Sequence, residues 1–349
     1  MSDRTDGAIN RRRVLAGLAG AGVVALGAAA VPASAAPSTA APGAGRPAAP
    51  PAGAGKPGRR ETLVPAQTSW ELPPPMTGGP TTVRVRDADL EVWDTRGKGS
   101  AIVLQHPHSG HGGVWGYQQA AFAKAGHRVI SYSRRGYGGS TGFTTAAGTD
   151  LRDLEALMDL LGVGQFHLVG IAAGANVVLD AALRLPERVL TAMPGCSIFG
   201  IAEDSWNAVN ARMTGGGFRT VTDPATGTVT RTGLDPEFQE LGPSYRAAAP
   251  AEVLSAWHQN EAQPNPPTPL PGTEQPLRWA DLEKITTPTM LFTGDADMYL
   301  PPSRLREVAS HMPSARMTLF AEVGHSPHWE AYRPFNDMVL SFAHEHRPR

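Results

Sequence analysis

Between residues 82 and 344, short apolar runs alternate with stretches of helical spacing, and this alternation leaves few folds open. Strands joined through helices pair in parallel, and a parallel sheet needs cover on both faces because neither face meets water. The strand-like runs are residues 82–86, 90–93, 101–104, 129–132, 166–169, 189–193, 288–292 and 317–320. Helical patterns fall at residues 115–125, 151–161, 175–185, 304–311 and 336–344, with Gly162 and Pro186 placed to end the second and third. The expectation is an α/β fold with a mostly parallel eight-stranded sheet and helices on both faces. The pattern lapses over residues 198–280, which are rich in Gly, Pro and Thr and read as a cap inserted after the sixth strand.

The start of the chain reads differently. A polar stretch leads to Arg11-Arg12-Arg13-Val14-Leu15, an apolar run continues to Val31, and Ala33-Ser34-Ala35 supplies small residues. A charged region, an apolar region and an A-x-A site together make a secretory signal, residues 1–35, and the paired arginines suggest the twin-arginine route. Export to the periplasm or the extracellular space, with no stable membrane insertion after processing, is the expectation. Residues 36–61 are mostly Ala, Pro, Gly and basic residues, too poor in apolar side chains to offset their ordering entropy, and read as a disordered linker. The folded body is expected over residues 62–349.

Charge narrows the function. With 31 Lys and Arg against 32 Asp and Glu, and no basic block or stripe, nucleic acid is set aside as a partner and a small molecule is favoured. Cys196 is the single cysteine, so no intrachain disulfide forms, and inert buried packing is its expected role.

In open α/β sheets, ligands sit at the carboxyl ends of the strands. Gly170-Ile171-Ala172-Ala173-Gly174 follows one strand and precedes a helix, the context of a G-x-S-x-G nucleophile elbow with alanine in place of serine. Alone it also reads as an ordinary glycine loop. Gly294-Asp295-Ala296-Asp297 follows the next-to-last strand, and Gly324-His325-Ser326-Pro327-His328-Trp329-Glu330 follows the last. Ser133-Arg134-Arg135-Gly136-Tyr137-Gly138-Gly139-Ser140 and His106-Pro107-His108 complete the set. These five stretches, in this order, resemble the α/β-hydrolase family over residues 81–346 outside the cap, in the branch of lactonases, esterases, epoxide hydrolases and haloperoxidases.

The resemblance implies a nucleophile position at Ala172, an acid at Asp297, a base at His325, and oxyanion donors in the backbone N–H groups of His108 and Ala173. Pro107 stands where that family has glycine. Asp295 is assigned to the turn, and the glycines of residues 136–139 to a loop. No carboxylate occupies the elbow, which excludes an aspartate nucleophile. Candidate pocket residues are Trp115, Trp206, Tyr245, Trp257 and Tyr299, with core packing an equal alternative for the cap aromatics. His106, His108 and His111 resemble a metallo-hydrolase loop, but its aspartate is replaced by Gly110, so no metal and no cofactor are expected.

Alanine cannot attack a carbonyl. Ala172 therefore leaves three readings: a serine hydrolase carrying a Ser-to-Ala substitution, a serine-free enzyme using His325 and Asp297 as a general base, or a binding protein. The first is adopted, for an ester, lactone or amide of a small to medium apolar substrate.

Overall fold

The computed structural model describes residues 61–347, apart from residues 215–217, 223–228, 234, 262–265 and 267–269. The signal-like residues 1–35 and the linker up to residue 60 lie outside the described residues.

The strands are β1 (Glu61–Val64), β2 (Thr81–Val85), β3 (Ala88–Asp94), β4 (Ala101–Gln105), β5 (Arg128–Tyr132), β6 (Phe166–Ile171), β7 (Val189–Gly195), β8 (Phe218–Thr222), β9 (Val229–Gly233), β10 (Thr289–Gly294) and β11 (Ala315–Phe320). Nine of them form one sheet in the order β1-β11-β10-β7-β6-β4-β5-β3-β2. Pairing is parallel from β1 through β5, while β3 and β2 run antiparallel at the far edge. Strands β4, β6 and β10 are buried at every position, which is why they read as unbroken apolar runs.

The ninth strand corrects the expected count of eight and moves Glu61 out of the linker. β1 has three exposed residues in four, so its pairing with β11 leaves no apolar signature. Its anchors are backbone hydrogen bonds and the Arg306 guanidinium, which reaches both Glu61 carboxylate oxygens at 2.8 and 2.9 Å.

Outside the insertion the helices are α1 (Gly116–Lys124), α2 (Thr149–Leu160) and α3 (Ala173–Arg184). The segment between β7 and β10 adds α4 (Asp204–Thr214), the β8–β9 hairpin, α5 (Pro236–Glu240), α6 (Pro243–Ala248), α7 (Ala251–Glu261) and α8 (Trp279–Leu282). Three more follow: α9 (Pro302–Ser310), α10 (Pro327–Glu330) and α11 (Tyr332–Glu345). α11 begins four residues before the periodic pattern does, because Pro334 falls in its first turn, where a missing N–H costs no helical bond.

One apolar cluster packs α2, α3 and α9 against the sheet, and a second packs α1 and α11. A third, built from Tyr117, Tyr245, Val253, Trp257, Trp329 and Tyr332, lies under the insertion. The insertion's two ends meet where Ile201 bridges Leu277 and the Ala202 N–H donates to the Leu277 carbonyl at 2.7 Å.

Candidate active site

The turn between β6 and α3 is set by close backbone approach. A methyl group on Gly170 would lie 2.5 Å from the Gly174 carbonyl oxygen, and one on Gly174 would lie 2.2 Å from that of Gln105. Only glycine fits at either end, and the residue between them takes the strain. Ala172 has φ 51° and ψ −118°, a conformation that costs an L-residue on the order of 1–3 kcal/mol. Its N–H donates to the Gly195 carbonyl at 3.1 Å and its carbonyl accepts from Ala175 at 3.0 Å, so the sharp turn is held from both sides. Ala173 is the first residue of α3, and its N–H therefore has no helical carbonyl four residues back. Gly174 seats this helix start against the carbonyls of Gln105 and His106, beside the turn that carries His108.

Two strands away, the turn after β10 brings Asp297 to the turn after β11. The His325 Nδ1 lies 3.0 Å from each Asp297 carboxylate oxygen, and both side chains are buried. A carboxylate only accepts, so the proton of this contact lies on Nδ1. Asp297 Oδ1 also accepts from the N–H of Tyr299 at 2.8 Å and of Leu300 at 3.1 Å, and the Thr293 hydroxyl lies 3.0 Å from Oδ2. Burial pushes the Asp297 carboxyl up. The His325 imidazole and these two N–H groups more than offset it and hold the carboxyl below its ordinary range. Asp295 does different work: its Oδ1 accepts from the Glu322 N–H at 2.7 Å and staples the two turns together.

The Alpha/beta hydrolase family model matches residues 102–338. The chain is 30% identical over 275 residues to the 2-hydroxy-6-oxononadienedioate/2-hydroxy-6-oxononatrienedioate hydrolase of Burkholderia vietnamiensis, spanning 71% of this chain and 88% of that protein. The chain belongs to the alpha/beta hydrolase family. A second relative, the 2-hydroxy-6-oxo-6-phenylhexa-2,4-dienoate hydrolase of Burkholderia cepacia, is 26% identical over 70% of this chain and 88% of its own length. Among solved structures, a thermophilic esterase from Thermogutta terrifontis superposes with a TM-score of 0.60 at 18% identity, covering 77% of this chain and 99% of that one. The fold is shared with the solved esterase, and both sequence relatives are hydrolases by name.

Within this family fold, the aromatic candidates separate. The Tyr299 ring centroid is 4.5 Å from that of His325, and its hydroxyl bonds the Gln239 amide oxygen of α5 at 3.0 Å, so Tyr299 stands between site and insertion. The other four are buried in apolar clusters, the alternative already open for the three cap aromatics. Trp115 is fully buried in the α1–α11 cluster against His328. Trp206 lies under the Arg304 guanidinium, 3.7 Å from its ring centre, and meets Trp279 edge-on. Tyr245 and Trp257 belong to the cluster under the insertion.

The histidine-rich loop does not converge on a metal position. His106 Nδ1 donates to the Pro107 carbonyl at 2.7 Å and its Nε2 accepts from the Arg134 N–H at 3.0 Å, so both ring nitrogens are engaged. Burial, with the Arg134 charge beside it, keeps that ring neutral. His108 Nδ1 faces the Tyr137 hydroxyl at 2.7 Å. Among the described residues, Cys196, Asp297 and His325 place one donor atom each within 4.8 Å of one another. Burial and the neighbouring Asp297 push the Cys196 thiol well up.

Sequence reasoning missed two residues. Thr293, at the end of β10, supports Asp297 as described above. Glu330 is fully buried, and its carboxylate accepts from the N–H groups of Gly242 at 2.6 Å, Gly324 at 3.0 Å and Ser326 at 3.2 Å. Burial pushes the Glu330 carboxyl up to about 8, against the pull of those three N–H groups. Glu330 stands five residues after His325, a spacing that carries no meaning until the turn is folded.

Proposed function

We propose that this chain has the frame of a serine hydrolase for an ester, lactone or amide bond in a small to medium, largely apolar substrate, with Ala172 at the nucleophile position impairing catalysis. The observation that carries this reading is the oriented Asp297–His325 pair, kept together with a strained elbow at Ala172 that an ordinary loop has no reason to hold. Tyr299, in ring contact with His325, supports an apolar wall beside the reacting bond. In this frame the substrate carbonyl oxygen lies between the N–H groups of Ala173 and His108, and His325 Nε2 takes the proton from the attacking group. The attacking hydroxyl is what the chain lacks, so no acyl-enzyme forms at residue 172. Oxyanion donors and binding alone sustain roughly 10³–10⁴-fold catalysis over water.

Ala172→Ser supplies the missing group. Hydrolysis of aryl esters or lactones is expected to rise by about 10³-fold or more over the alanine form. An unchanged rate across a broad panel contradicts the proposal. A second reading then takes its place: His325, already oriented by Asp297, works as a general base on water or on a substrate proton without a covalent step.

A further inference from the structure

The strongest unassigned feature is the junction between the insertion and the turn that carries His325. Here the two backbones lie face to face. A methyl group on Gly324 would meet the Gly242 nitrogen at 2.6 Å and the Glu240 carbonyl oxygen at 2.7 Å, and one on Gly242 would meet the Glu322 carbonyl oxygen at 2.3 Å. The His325 N–H donates to the Glu240 carbonyl at 2.7 Å. Between these glycines sits the Glu330 carboxylate, taking one N–H from the insertion and two from the His325 turn. Behind it, the Trp70 indole N–H donates to the Glu330 carbonyl at 2.6 Å, and the Trp70 ring packs edge-on against Tyr245 of α6 at 5.1 Å. Tyr245 in turn accepts from the Trp329 indole N–H at 2.8 Å.

We propose that Glu330 is a positioning residue: its buried carboxylate fastens residues 240–242 of the insertion to the 324–326 turn, and so fixes where His325 is presented. The proposal rests on the reading of His325 as the working base. The physical reason is the count of donors. Three N–H groups converge on the two carboxyl oxygens, Gly242 on Oε2 and Gly324 and Ser326 on Oε1, so both oxygens serve as acceptors. An amide at this position offers one acceptor oxygen and turns its own N–H groups toward backbone N–H groups. The insertion is thereby tied to the site at the base, and a shift of the 240–242 segment is expected to move His325.

The test is Glu330→Gln in the full chain, with three readouts. In the Ala172 form, the downfield proton NMR signal of His325 Nδ1–H, the proton shared with Asp297, should move or broaden beyond detection while thermal unfolding stays cooperative. In the Ala172→Ser form the same change should lower kcat by about tenfold or more and leave KM within about twofold, as loss of alignment without loss of binding does. An unmoved Nδ1 signal, or an unchanged kcat, in a folded Glu330→Gln protein overturns the proposal. If the variant does not fold, amide exchange of the unsubstituted chain decides. The N–H groups of Gly242, Gly324 and Ser326 should then exchange together as one opening unit, and independent exchange of Gly242 overturns the proposal. A revertant without hydrolase activity contradicts the proposed function but leaves the Nδ1 and exchange measurements valid for Glu330.

Discussion

The turns at the carboxyl end of the sheet and the insertion between β7 and β10 are held in place by different means. At the sheet, backbone meets backbone. Gly170 and Gly174 at the elbow each admit no side chain, and a methyl group on Gly294, before the acid turn, would lie 2.0 Å from the Val323 carbonyl oxygen. The insertion is pegged by side chains: Trp206 on Arg304, Tyr245 on Trp329, and Tyr299 reaching Gln239. Its helices α5 and α6 have five and six residues and each opens on proline, so they carry little stability of their own. Backbone contacts fix position to fractions of an ångström and tolerate nothing else, whereas aromatic pegs tolerate substitution at a graded cost. The reacting groups are therefore set by the sheet, and the insertion is free to differ in shape around them. At residues 240–242 the insertion adopts the sheet's own mode of contact, as it does where the Gly272 carbonyl accepts from the Gly148 N–H at 2.9 Å.

This contrast is open to direct attack. Gly174→Ala places a methyl group 2.2 Å from the Gln105 carbonyl oxygen and 2.8 Å from that of His106, with backbone on both sides and no flexible side chain to yield. The expected loss is about 3 kcal/mol or more, a fall in melting temperature of roughly 5 °C or more for a domain of this size. A melting temperature unchanged within error shows that the elbow is not sterically fixed. Tyr245→Phe tests the other side. It removes the acceptor of the buried Trp329 indole N–H and nothing else. The expected cost is about 1–3 kcal/mol, with no change in the His325–Asp297 geometry. Loss of the His325 Nδ1–H NMR signal in that variant contradicts the division between pegged insertion and fixed site.

The same contrast explains what the sequence discloses. The strands that bear the site are buried on both faces, so their apolar runs are visible without coordinates, and the loop after each of them is where function is sought. Asp297 and Asp295 are separable by their place relative to Gly294, and the structure puts Asp297 on His325 and Asp295 on the Glu322 N–H. β1 escapes notice because its partner is backbone and its side chains face outward. Trp115, Trp206, Tyr245 and Trp257 illustrate a general limit: an aromatic residue packs a core or lines a pocket with the same sequence signal, and here the cores claim them. Thr293 and Glu330 were invisible for another reason. Their partners are the Asp297 carboxylate and three backbone N–H groups brought together only by tertiary folding.

The central claim is that residue 172 is the place from which this site attacks. It is tested most directly by treating the Ala172→Ser chain and the unsubstituted chain with a fluorophosphonate, which labels a serine activated by an adjacent base, and locating any adduct by peptide mass spectrometry. The account predicts one covalent adduct on residue 172 of the serine form, abolished by His325→Ala, and none on the alanine form. A serine form that stays unlabelled while folded, or an adduct of equal yield at another residue in both forms, contradicts it.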